Sequence, residues 1–169
     1  MKQYLLFTLL TISLISCKRT SVNKTIEGTI YIKLIDLNNV VYGMSNDEIE
    51  KIKKEIFNQK KNDFSKSEKS FMEYHKILFK SDLINKPHFK LKTKKGKIIN
   101  VYTNENEYTK LAKHLRKLNR EEEKVIVKFE GVKISDGIFD PDGIFDQAIF
   151  KATKIISVEK TVGKTEWHK

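Results

Sequence analysis

Apolar and polar residues alternate over 26–35, with Ile26, Gly28, Ile30, Ile32 and Leu34 on one face and Glu27, Thr29, Tyr31 and Lys33 on the other. A period of two predicts a half-buried strand, and the glycine inside it predicts a bulge or a close backbone approach. The period then lengthens. Ser45-Asn46-Asp47-Glu48 has the form of a capping box, and Ile49, Ile52 and Ile56 follow at helical spacing. A second box, Ser65-Lys66-Ser67-Glu68, precedes Phe71, Tyr74 or His75, and Leu78. Together they predict an αα-hairpin over 45–80. Alternation returns over 88–102, where Phe89 and Leu91 interleave with lysines, Lys94-Lys95-Gly96 turns the chain, and Ile99 and Val101 continue. A third helix is predicted to start near Thr103 or Asn104. It has Glu105 and Glu107 in its first turn, where the helix dipole favours acids, and an apolar stripe of Tyr108, Leu111, Leu115 and Leu118. Two strands follow. One spans 124–134 through Val125, Val127 and Phe129, with Gly131 ending or bulging it. The other spans 149–160, with Phe150, Ala152, Ile156 and Val158 facing inward. Residues 161–169 read as a polar tail.

With the helical hairpin set aside, the order is three strands, a helix and two strands. This order is similar to that of the OB-fold, a five-stranded Greek-key barrel. The resemblance covers 26–160. It implies a single α+β domain whose loops after the first strand and between the fourth and fifth are placed for ligand binding. The hairpin over 45–80 is then an insertion. The same order also suits an open antiparallel sheet with helices on one face.

Ahead of this domain, Lys2 precedes an apolar run from Leu5 to Ile15 interrupted only by Thr8, Thr11 and Ser13. A bilayer-spanning helix needs about 20 residues, so the run predicts a secretory signal peptide instead. It ends in Leu14-Ile15-Ser16-Cys17, which resembles the lipobox of bacterial lipoproteins. The resemblance implies cleavage before Cys17, diacylglycerol transfer to its thiol and acylation of the new amino terminus. The chain would then be exported and lipid-anchored in the cell envelope, with 1–16 removed and 17–25 a lipidated tether. The lack of an acid directly after Cys17 favours a periplasm-facing position. Cys17 is the single cysteine, which excludes an intramolecular disulfide.

The formal net charge is +11, and removal of 1–16 takes away only Lys2, leaving +10. Lysines number 30 against three arginines. Arginine is the usual residue for bidentate phosphate and base contacts, and export removes the chain from nucleic acid, so none is expected as a partner. The positive charge is concentrated: residues 86–97 hold six lysines and no acid. Lys90, Lys92, Lys94, Lys95 and Lys97 form a candidate surface for an anionic partner, a lipid head group or an envelope glycan. The plainer reading is the solvated face of an amphipathic hairpin.

Against this stands Asp136-Gly-Ile-Phe-Asp140-Pro-Asp142-Gly-Ile-Phe-Asp146, where one pentapeptide occurs twice. Asp136, Phe139, Asp140, Asp142, Phe145 and Asp146 form a candidate binding loop for an envelope protein or a cationic group. A calcium ion on Asp140, Asp142 and Asp146 is conceivable, but the EF-hand register fails because Ile138 and Ile149 would occupy its first and last positions. The plainer reading is a pair of turns with both phenylalanines tucked inward. Catalytic patterns are sparse. The four histidines are far apart, and neither a Gly-x-Ser-x-Gly elbow nor a phosphate-binding glycine loop occurs. The expectation is a non-catalytic ligand- or protein-binding module with no cofactor beyond lipid on Cys17. The alternative is an envelope hydrolase acting on glycan or peptidoglycan, with paired carboxylates drawn from Asp140 and Asp142 or from Glu121–Glu123.

Overall fold

The computed structural model describes residues 22–33, 45–58, 64–140, 143 and 145–168. Cys17, the segment read as signal peptide and Asp142 lie outside the described residues. The elements in order are β1 (Lys24–Lys33), α1 (Asn46–Asn58), α2 (Lys66–Lys80), β2 (His88–Thr93), β3 (Ile98–Tyr102), α3 (Glu105–Leu115), β4 (Glu123–Ser135), β5 (Ala148–Val162) and β6 (Trp167–His168).

Each of the three helices among the described residues starts where a side chain takes up a free N–H group. The Glu48 carboxylate accepts from the Ser45 backbone N–H at 2.8 Å, and that of Glu68 from Ser65 at 2.8 Å, so both capping boxes are formed. Asn104 accepts from the Glu107 N–H at 2.9 Å and caps α3.

The five longer strands close in a ring, β1-β2-β3-β5-β4 and back to β1. Every contact in the ring is antiparallel except β3–β5, which is parallel. The fold is therefore α+β with a mixed sheet, an inserted helical hairpin and a third helix. Ring closure makes β1 serve two neighbours. Gly28 is level with Thr93 of β2 and with Val127 of β4. A Cβ there would lie 2.7 Å from the Lys92 carbonyl oxygen, so the close approach expected at this glycine is real. Gly131 sits at a register shift in β4, where a Cβ would lie 2.5 Å from the Lys151 oxygen.

Inside the ring, Leu91, Val101, Val125, Val127 and Phe129 are completely buried. α3 carries the chain from β3 to β4 and adds Leu111 to this core, with Tyr108, Leu115 and Leu118 packed against it. A second core lies on the outside of the ring. Tyr102 and Ile149 meet Ile49, Tyr74, Leu78, Leu83 and Ile84 there, and Ile134, Ile138 and Phe145 pack on them. The helical insertion is thus seated on β3 and on the segment between β4 and β5.

β5 departs from the expected inward pattern. Ile156 is exposed, and Ile155 is buried in its place. The β4–β5 register shifts between Lys128 and Phe129 and again between Glu130 and Gly131. Each extra residue on β5 sends the following side chains to the opposite face. Past 160, β5 runs on to Val162, and 167–168 pair in parallel with 32–33 of β1.

Candidate binding cleft

The strand registers gather four segments at the end of the ring away from α3: the start of β1, the β2–β3 turn, the end of β4 and the start of β5. They enclose a cleft of about 910 Å³. Ile26, Ile98, Ile99, Ala148 and Phe150 give it an apolar floor. Lys24, Lys94, Lys95 and Lys97 stand on its rim, with Lys133, Asp136 and Asp146 also lining it. The β2–β3 turn is tight. The Thr93 N–H donates to the Lys97 oxygen at 2.8 Å, the Gly96 N–H donates to the Thr93 oxygen at 2.8 Å, and Gly96 takes φ +77°. A left-handed residue at this point favours glycine and leaves the neighbouring lysines pointing into solvent.

Among the described residues, five lysines and three carboxylates line the cleft. Lys94 pairs with Glu27 at 2.8 Å, and its hydrogen bond and charge, helped by Lys128, hold the Glu27 carboxyl below its usual range. Lys133 contacts Asp136 and lowers that carboxyl likewise, with a further contribution from Lys97. Lys24, Lys95 and Lys97 make no ion pair among the described residues, and Asp146 is the carboxylate left over.

The structure divides the predicted lysine surface. Lys94, Lys95 and Lys97 reach the cleft, whereas Lys90 and Lys92 lie farther along β2. Lys90 is only 7% exposed, and Lys92 pairs with Glu166 at 2.5 Å. Strand geometry separates them, since β2 has left the turn by that point; Lys90 is covered there, and Lys92 is half-buried.

It also divides the aspartate loop, and its two pentapeptides are not equivalent. Phe139 is 86% exposed, while its backbone oxygen accepts from the Ser70 hydroxyl at 3.0 Å. Phe145 instead packs on Tyr74 and Phe71, with ring centroids 5.1 and 6.0 Å apart. Asp140 is buried, and its backbone oxygen accepts from the Gly143 N–H at 3.0 Å. The Ile138 N–H donates to the Phe145 oxygen at 2.8 Å and staples the loop across its base. Gly137 takes φ +95°, and a Cβ on it would lie 2.2 Å from the Asp146 oxygen. Asp140 and Phe145 therefore belong to the folded interior of the loop, whereas Asp136 and Asp146 face solvent. Asp142 lies outside the described residues, and among those described no group of three or more His, Cys, Asp or Glu side chains converges as metal ligands would.

Sequence reasoning missed Lys24, Lys133 and the apolar floor. Nothing local distinguishes them, because they come from four strands, β1, β3, β4 and β5, that meet only on closure. It also missed a buried polar group under α2. The Asn100 amide donates to the Tyr74 hydroxyl at 3.2 Å, and the Tyr74 and Tyr102 hydroxyls are 3.0 Å apart. Beside it, His75 Nδ1 lies 2.8 Å from the Phe71 oxygen. A carbonyl only accepts, so this nitrogen carries the proton. Burial pushes the imidazole below its usual range and keeps it neutral.

No helix among the described residues is long and apolar enough to cross a membrane. No family model, curated protein or solved structure matches the chain.

Proposed function

We propose that this chain is a lipid-anchored envelope protein whose domain is a non-catalytic binding module, with the cleft at the end of the ring taking an anionic ligand. One observation carries the reading. Ring closure brings the lysine turn and the aspartate loop, far apart in sequence, to one cleft with an apolar floor and unmatched lysines on its rim. The Leu14-Ile15-Ser16-Cys17 motif supports the anchor. Of the carboxylates weighed for catalysis, Asp140, Glu121 and Glu123 sit poorly for it. Asp140 is buried within its loop, and Glu121 and Glu123 pair with Lys164 and Lys160 at the opposite end of the ring. Two measurements test the proposal. Mass spectrometry of the membrane fraction should find an acylated Cys17 at the mature amino terminus; an unmodified chain starting at Met1 would remove the anchor. A photo-crosslinking residue at position 97 should capture envelope material that the same residue at position 113, on α3, does not. Equal capture at both positions would remove the cleft.

A further inference from the structure

We infer that the cleft docks on anionic phospholipid head groups of the membrane that holds the anchor. This inference rests on the anchored-module reading and names the ligand of the same cleft. Lys24 begins β1 and stands on the rim. Cys17 precedes it by seven positions. Even a fully extended tether of that length reaches only about 25 Å. A lipid on Cys17 would therefore hold this end of the ring close to the bilayer surface, with the α3 end farther out.

The charge at that end suits the surface it would meet. Among the described residues, Lys24, Lys95 and Lys97 are the rim lysines without an ion pair, and they outnumber the one unmatched carboxylate described there, Asp146. Screening at physiological salt confines such attractions to about 8 Å, so lysines contribute only where the tether lets them touch the head groups. The apolar floor of Ile26, Ile98 and Phe150 lies behind them and accommodates the glycerol and upper acyl carbons of a lipid better than it does a bare phosphate.

The test uses the chain from residue 17 onward with Cys17→Ser, which keeps every described residue and removes the acyl chain as a cause of binding. Co-sedimentation is measured with vesicles of phosphatidylcholine alone and of an equal mixture with phosphatidylglycerol. Binding to the mixed vesicles and not to phosphatidylcholine is expected. Each lysine at an anionic surface contributes about fivefold, so Lys95→Gln with Lys97→Gln should weaken binding about 25-fold. Lys113→Gln with Lys117→Gln removes the same charge from the α3 end and should leave binding within about twofold. Circular dichroism confirms that each variant is folded, as expected for exposed lysines. Absence of a phosphatidylglycerol preference, or equal losses in the two double variants, would overturn the inference. So would displacement by inorganic phosphate at constant ionic strength, which would assign the cleft to a soluble anion. Any of these with Cys17 acylated in the native protein leaves the anchored module standing. An unacylated Cys17 removes both.

Discussion

The two phenylalanines of the repeated pentapeptide should respond oppositely to truncation. Phe145→Ala removes a ring packed edge-on to Phe71 and against Tyr74, within the core that seats α1 and α2 on the ring. Truncating a fully buried phenylalanine costs about 3–5 kcal/mol, and the half-buried Phe145 should cost about 2–3 kcal/mol. For a domain of this size each kcal/mol lowers Tm by about 2–4 °C, so a fall of about 5–10 °C is expected. Phe139→Ala removes a ring that is 86% exposed and leaves the Ser70 hydrogen bond on its backbone oxygen untouched. Its cost should stay within about 0.5 kcal/mol. Thermal and urea unfolding of both variants, followed by circular dichroism, measures the difference. Hydrogen exchange should locate the Phe145→Ala loss in α1 and α2 before the ring strands, because Phe145 packs on the outer core. Equal destabilisation by the two substitutions, or a larger effect of Phe139→Ala, would refute the claim that the Phe145 ring packs and the Phe139 ring does not.

The loop glycines should separate in the same way. Gly137→Ala forces a Cβ onto the Asp146 carbonyl at φ +95° and should cost about 2–3 kcal/mol in urea unfolding, whereas Gly143→Ala, at φ +66° in open space, should cost about 1 kcal/mol. Tyr74→Phe takes the hydroxyl from the buried Asn100 amide and should lower stability by about 1–2 kcal/mol, with the near-ultraviolet spectrum otherwise preserved. Burial lowers the folded-state affinity of His75 for a proton, so the unfolded chain binds it more readily. Stability should be full above about pH 6.5 and fall as the pH drops below that value. The urea midpoint of His75→Gln should change less than that of the native chain between about pH 7.5 and about pH 5.5. An identical pH response would exclude His75 as the source.

Local order was legible from the residues because its causes lie within a few positions. Alternation placed the strands, since successive side chains point to opposite faces, and Ile30, Leu91, Val101, Val125 and Phe129 are all buried as that period requires. The helix starts at Ser45, Ser65 and Asn104 rest on hydrogen bonds spanning three residues. The element order already carried the α+β class and the insertion. Tertiary structure alone decided where that regularity breaks and what meets what. Bulges against β4 put Ile155 inside and Ile156 outside, a choice made by the partner strand. Identical Asp-Gly-Ile-Phe-Asp segments put Phe139 in water and Phe145 against Tyr74, because the first meets α2 through its backbone oxygen and the second through its ring. Lys90 and Lys97, alike in sequence, end one covered on β2 and the other on a cleft rim. The cleft exists because β1 closes the ring by pairing with β2 and β4 together. That long-range contact brings Lys24, Lys97, Asp136 and Phe150 to one place, which no local periodicity records.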